Sequence, residues 1–153
     1  MEHVVILIDG GSCMERGGRF EAGKEAVTRL TSSTLGVVLV GIWWSGGLIP
    51  LCLGSSATCS ESVEYLGIVG GRGCWDQAIV DTLRLLYGGS VLVVVGCCRG
   101  PCSKWFVMPT VFRKRVFYCV AGYSERVART LQRHGFDLVT SSWEEVERFL
   151  GVA

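Results

Sequence analysis

Six apolar stretches run along the chain, several of them apolar at nearly every position: His3–Ile8, Gly36–Trp44, Leu48–Leu53, Val91–Val95, Arg115–Val120 and Asp137–Thr140. Their length and β-branched content predict strands. Because polar residues rarely interrupt these stretches, both faces of the strands are expected to be buried, as in a parallel sheet covered by helices on each side. Between them the apolar period lengthens to that of a helix. Phe20, Gly23, Val27 and Leu30 recur at helical spacing, as do Trp75, Ala78, Ile79, Thr82, Leu83 and Leu86. Val127 and Leu131 form a third stripe. Trp143, Val146 and Leu150 form a fourth, opened by the capping-box pair Ser142 and Glu145. Residues 58–66 read as a shorter helix.

The link Ser45–Gly47 is too short for a crossover, so Leu48–Leu53 must return antiparallel to the strand before it. The expected fold is α/β: a doubly wound, Rossmann-like three-layer sandwich with a mostly parallel six-stranded sheet and one antiparallel edge strand. Its 153 residues fit a single domain, 1–153, and contain no repeat or linker. One connection breaks the pattern. From Cys97 to Arg115 the chain joins two strands expected to be parallel without a clear amphipathic helix. Trp105, Phe106, Val107 and Met108 are apolar in sequence there, before Pro109. Burial preferences favour packing them on the sheet, the alternative being an exposed apolar patch.

With 49% hydrophobic and 19% charged residues, the chain is not a disordered one. No apolar run reaches the ~18 residues of a membrane span, and no basic, cleavable leader opens the chain. The expectation is a cytoplasmic protein with no membrane contact. Net charge is +1, but residues 1–98 carry six Lys/Arg against nine Asp/Glu, and residues 99–153 carry nine against five. The one dense basic cluster, Arg113 to Arg115, reads as a solvated loop leading into a strand rather than a nucleic-acid contact. Eight cysteines are many for a reducing compartment. The chain has no asparagine and only two glutamines, Gln77 and Gln132, which points to a thermophilic source, where intracellular disulfides are tolerated.

The opening HVVILIDGGSCMERGGRFEAGKEAVTRL resembles that of a von Willebrand factor A (VWA) domain, whose first strand ends in Asp-x-Ser-x-Ser before a helix that begins with an aromatic residue. The resemblance continues along the chain. VVLVGIWWSGGLIPLCLGS is similar to the second strand, turn and antiparallel return strand, and VGGRGCWDQAIVDTLRLLY to the Gly-Gly-Thr loop and its helix. VLVVVGCCRG is similar to the strand that normally ends in Thr-Asp-Gly, and SSWEEVERFLG to the closing helix. The resemblance implies a protein-binding domain that holds a divalent cation at the carboxyl edge of its sheet. Asp9 matches the first aspartate, but Gly11 and Cys13 replace the two serines, with Ser12 between them. Arg72 stands in the threonine position, and Gly96 or Cys97 in that of the later aspartate. One carboxylate without further oxygen donors is a poor magnesium site. The expectation is therefore a degenerate adhesion site with no metal and no cofactor, in which Arg72 takes the ion's place and pairs with Asp9. The alternative leaves Arg72 in solvent.

Loops after parallel strands converge on one edge of such a sheet, which brings Cys13, Cys74, Cys97, Cys98 and Cys102 near one another. The favoured reading is a disulfide from the loop at Cys13 or Cys74 to the one at Cys97 or Cys102; a zinc site and unpaired thiols are the alternatives. Cys52 and Cys119 lie within strands and read as small buried apolar residues, and Cys59 either reaches Cys52 or remains a thiol. Cys13 and Arg19 also have the Cys-x5-Arg spacing of a phosphatase-like loop. That supplies the second functional reading, a cysteine-dependent redox or phosphotransfer enzyme using Cys13. Glu15 and the lack of a placed general acid weigh against it. His3 and His134 read as structural, His134 closing a helix before Gly135. The leading functional expectation is a non-catalytic protein-protein interaction module, not an enzyme. Its candidate contact residues are Asp9, Ser12, Arg72 and Arg99 on the loop edge, and Trp105 and Phe106 beside the basic cluster. The expected partner is another protein or a second copy of the chain, not nucleic acid.

Overall fold

A computed structural model describes residues 3–33, 37–64, 66–85 and 90–152. Strand β1 (His3–Asp9) is buried from Val4 to Asp9 because it lies at the centre of the sheet. The pleat sends Val4, Ile6 and Ile8 into one core and Val5 and Leu7 into the other. On one side of β1 runs β2 (Val37–Trp44), parallel, followed by β3 (Gly47–Ser55), antiparallel across the tight turn. On the other side come β4 (Ser90–Gly96), β5 (Phe112–Cys119) and β6 (Leu138–Thr140), all parallel. The order is β3-β2-β1-β4-β5-β6. The winding direction reverses between β1 and β4, so a crevice forms at their carboxyl ends, where α/β sheets usually place their sites.

Helices cover both faces. Against the first core pack α1 (Arg19–Ser33), α2 (Ser56–Val63) and α5 (Trp143–Leu150), through Phe20, Val27, Leu30, Val63, Trp143 and Val146. Against the second pack α3 (Trp75–Thr82) and α4 (Glu125–Arg133), through Trp75, Ala78, Ile79 and Leu131. The α/β three-layer sandwich with one antiparallel edge strand is thus the observed architecture.

Element ends differ from the apolar runs where polar groups decide them. α2 begins at Ser56 because the Ser55 hydroxyl caps it, accepting from the Thr58 N–H at 3.3 Å. Gly36, Tyr65 and Leu86, which the sequence pattern placed in elements, lie outside the described residues. The expectation of a solvated loop leading into a strand at Arg115 needs correction, because Arg113 and Lys114 already belong to β5. Side-chain and backbone bonds hold the strand there: the Arg115 N–H donates to Asp137 Oδ2 at 3.0 Å and its Nε to the Phe112 carbonyl at 2.7 Å. The Cys97–Arg115 connection contains no helix, and its apolar run is divided. Met108 is buried and Phe106 packs on the second core, whereas Trp105 and Val107 are exposed.

Candidate functional site

The crevice is organised around the Asp9 carboxylate, which is 0% exposed. Oδ1 accepts the Gly11 N–H at 2.8 Å. Oδ2 lies 3.6 Å from Nη2 of Arg99 and 3.5 Å from Sγ of Cys13. Cys13 is in a disulfide and has no thiol proton, so the latter is a contact and not a hydrogen bond. Burial pushes the Asp9 carboxyl above its ordinary range, and the Gly11 N–H, the Arg99 guanidinium and the Cys97 N–H draw it part of the way back.

Backbone bonds fix the loop that follows. Gly10 donates to the Trp43 carbonyl at 2.9 Å, and its own carbonyl accepts from Val69 and Gly70 at 3.0 and 2.9 Å. Gly71, with φ 73°, turns its carbonyl toward Ser12, whose N–H and hydroxyl both donate to it at 2.8 and 3.1 Å. This stitching leaves Arg72 exposed. The expected Arg72–Asp9 pair is therefore corrected: the guanidinium beside Asp9 is that of Arg99, which leaves the end of β4, the strand paired with β1.

The raised carboxyl has a consequence for stability. The folded protein holds the Asp9 proton more tightly than the unfolded chain, so this contribution is full below the ordinary carboxyl value of 3.8 and is lost as pH rises through the folded value. Asp9→Asn retains an oxygen for the Gly11 N–H and removes the titration. Its stability relative to the parent is expected to improve as pH rises above about 4. Denaturant melts across that range check this, and a difference that does not change with pH contradicts it.

All eight cysteines are paired. Cys13 joins Cys97 and Cys74 joins Cys102, each linking two rim loops, with Cα separations of 6.6 and 5.7 Å. Cys98 joins Cys119 and Cys52 joins Cys59. These two bonds correct the reading of Cys119 and Cys52 as lone apolar residues. Cys119 sits opposite Gly96 in the β4–β5 register, beside the start of the Cys98 loop. Cys52 on β3 and Cys59 on α2 flank the Ser55 cap.

Neither a scan against protein-family models nor a search of curated proteins returns a match. Solved structures do match. Proximal thread matrix protein 1 from the mussel byssus superposes with a TM-score of 0.65 at 8% identity, covering 98% of this chain and 44% of that one. The SpRpn10 VWA domain gives 0.62 at 14%, over 92% of this chain and 87% of that one. BatB from Bacteroides thetaiotaomicron gives 0.57 at 14%, over 92% and 65%. The fold is that of a VWA domain. At such identities the likeness is one of fold, and this chain spans less than half of the mussel chain and under two thirds of BatB.

The positions that the VWA resemblance assigns to cation ligands can be followed one by one. Both Asp9 oxygens are engaged, Gly11 has no side chain, and the Cys13 and Cys97 sulfurs are bonded to each other. Arg72 is exposed. At Gly96 a Cβ would lie 2.7 Å from the Asp9 Cβ, so no acid fits at that position without displacing Asp9. The Cys-x5-Arg loop is likewise engaged: Arg19 Nη1 donates to the Cys13 carbonyl at 2.9 Å, and Ser12, Cys13, Glu15, Arg16 and Arg19 line an open cleft.

A second feature of this VWA fold lies beside the crevice, where residues 98–108 are tied down along most of their length. Two disulfides, at Cys98 and Cys102, fasten them to β5 and to the start of α3. Asp76 accepts the N–H groups of Cys102 and Ser103, one on each oxygen, both at 3.1 Å. The buried indole of Trp75 donates to the Arg99 carbonyl at 2.9 Å and meets the Phe106 ring edge-on at 5.3 Å. His134 Nδ1 lies 3.4 Å from the Phe106 carbonyl. On this base Trp105 and Val107 stand out, with Lys104 Nζ 5.1 Å from the Trp105 ring centre. Asp76 and Trp75 were not among the residues singled out from the sequence as functional; their position directly after Cys74 was the available signal.

Proposed function

We propose that the chain is a non-catalytic protein-interaction module that holds a protein partner through the Trp105–Val107 tip, without a hard divalent cation at the strand rim. One observation carries this reading: Trp105 and Val107 are 80% and 81% exposed on a segment that disulfides, Asp76 and Trp75 already hold in place. A pre-ordered aromatic anchor loses little freedom on docking and buries much apolar area, which are the properties of an interface hot spot. Phe106, Val107, Met108, Arg133, His134 and Gly135 line a shallow recess beside it.

The rim residues do not fit a hard ion. Magnesium needs near-octahedral oxygen coordination, whereas Asp9 is committed to Gly11 and Arg99, and its neighbours are a disulfide and a glycine. The disulfide on Cys13 and the tethering of Arg19 favour a non-catalytic role. A single domain, 1–153, is part of the same proposal. So is the compartment: four disulfides suit an oxidising environment or the cytosol of a hyperthermophile, and the cytoplasmic reading depends on the second. Among the described residues no helix is long and apolar enough to cross a membrane.

The test is affinity capture with the parent and with the double variant Trp105→Ser, Val107→Ser, each with and without EDTA. The variant is expected to lose the captured partner while its stability stays within about 0.5 kcal/mol of the parent, and EDTA is expected to change nothing. Capture that survives the double substitution, or that EDTA abolishes, contradicts the reading. Sedimentation of the parent across a concentration series shows whether the partner is a second copy of the chain.

A further inference from the structure

Between Arg99 and Gly135 the chain carries eight Lys/Arg against one acid, Glu125, although the whole protein has a net charge of only +1. The fold gathers part of this excess beside the Trp105–Val107 tip. At about 100° per residue, Arg126, Arg129 and Arg133 fall within about 60° of one another around α4, and all three are exposed. The adjoining side of the helix meets the 98–108 segment: a Cβ on Gly100 would lie 3.7 Å from Thr130 Cγ2, and the Phe106 ring centre is 6.5 Å from that of His134. The basic row and the aromatic tip therefore form one continuous surface. We propose that this surface takes an acidic segment of the protein partner, with carboxylates along Arg126, Arg129 and Arg133 and one large apolar side chain in the recess beside Trp105. The proposal rests on the interaction reading above and adds the chemistry of what is bound.

Charge complementarity carries it. Among the described residues no carboxylate pairs with Arg126, Arg133 or Lys104. The pair that Arg129 makes with Glu125, at 3.8 Å, is exposed on both sides, so its attraction is weak and readily exchanged for a partner's acid. Asp76 offers no compensation, because it is buried and both its oxygens accept backbone N–H groups. Arg126 and Arg133 stand about 10 Å apart along the helix axis, farther than one small anion reaches, so several carboxylates spaced along a chain match the row. At the tip, Lys104 Nζ lies 5.1 Å from the Trp105 ring centre and adds a further cation. Single-stranded nucleic acid matches less well. Its bases need successive flat rings to stack on, whereas the walls of the recess beside Trp105 include the aliphatic Val107 and Met108.

The experiment measures binding of the full chain to a labelled random copolymer of glutamate and tyrosine, which offers acids and rings in every register, beside labelled polyglutamate and oligothymidylate. The parent is expected to bind the copolymer about tenfold more tightly than either, the effect of one ring seated at a hot spot. Arg126→Glu, Arg133→Glu is expected to weaken copolymer binding about tenfold. Raising salt from about 0.01 M to about 0.15 M is expected to weaken it as well, since the Debye length falls from about 30 Å to about 8 Å. Arg16→Glu, Arg148→Glu makes the same change in net charge at exposed positions away from α4 and is expected to bind like the parent. Circular dichroism checks folding, and Arg126→Gln, Arg133→Gln, which keeps good helix formers and is expected to show a smaller loss, serves if the reversal unfolds α4.

A parent that does not bind the copolymer, equal binding by the parent and the α4 variants, tighter binding of oligothymidylate, or self-association of the parent that the α4 substitutions abolish overturns the proposal. Partner capture separates this failure from that of the interaction reading. If Trp105→Ser, Val107→Ser abolishes capture and the α4 substitutions leave it unchanged, the reading stands and the acidic partner falls; if neither matters, the reading itself falls.

Discussion

Trp75→Ala is expected to destabilise the fold by about 3–5 kcal/mol, the usual cost of emptying a large aromatic site in a packed core. Trp75 is 1% exposed and makes edge-on contacts with Phe106, Phe117 and Phe136 at centroid distances of 5.3, 5.9 and 5.2 Å. Its indole N–H also satisfies the Arg99 carbonyl. The loss is therefore not confined to the core. Without the indole, the segment carrying Trp105 loses a backbone anchor and the platform under Phe106, so partner capture is expected to weaken along with stability. Trp75→Phe separates the two contributions: a ring remains, the Arg99 carbonyl loses its donor, and a smaller cost of about 1–3 kcal/mol is expected. Chemical denaturation of the three proteins checks the order. An alanine variant as stable as the parent contradicts the role assigned to Trp75.

Replacing both Cys13 and Cys97 by serine is expected to cost about 4 kcal/mol, lowering Tm by roughly 10 °C. The bond joins residues 84 apart, from the end of β1 to the end of β4, and so removes more freedom from the unfolded chain than a short bridge does. The same double change at Cys52 and Cys59, 7 apart, is expected to cost less, about 2.5 kcal/mol. Calorimetry under non-reducing conditions reads both. Equal losses at the two bridges contradict the entropic account of the longer one.

The fold was largely legible in the sequence because its signals are local and redundant. β1 is apolar over a whole strand, and the three-residue link Ser45–Gly47 permits only a hairpin. The helical stripes through Phe20–Leu30 and Trp143–Leu150 match buried faces. Ser142 caps α5 through the Glu145 N–H at 3.4 Å. The Glu145 carboxylate, however, accepts from the Thr140 hydroxyl at 2.8 Å instead of reaching back to the cap residue, a choice only the β6 geometry decides.

The site was legible in outline only. Asp9 and the convergence of the cysteines follow from strand order, since each residue ends or follows a strand at one edge. Which arginine faces Asp9 depends on loop conformation. Gly70 and Gly71 both adopt positive φ, and the bonds from Ser12 to Gly71 fix their loop with Arg72 outward, whereas Arg99 follows the strand next to β1. The Cys98–Cys119 bond was hidden for a related reason. A cysteine in an apolar strand looks like any small core residue until the β4–β5 register places it beside its partner. The alternating fate of Trp105 to Met108 depends on Asp76 and Trp75, two contacts distant in sequence from the residues they position.

Recognition without a hard cation is tested most directly by calorimetric titration of the oxidised protein with magnesium and then manganese. The predicted result is no saturable heat up to millimolar ion, for the parent and for Asp9→Asn alike. Tight, stoichiometric uptake by the parent that Asp9→Asn abolishes would contradict it.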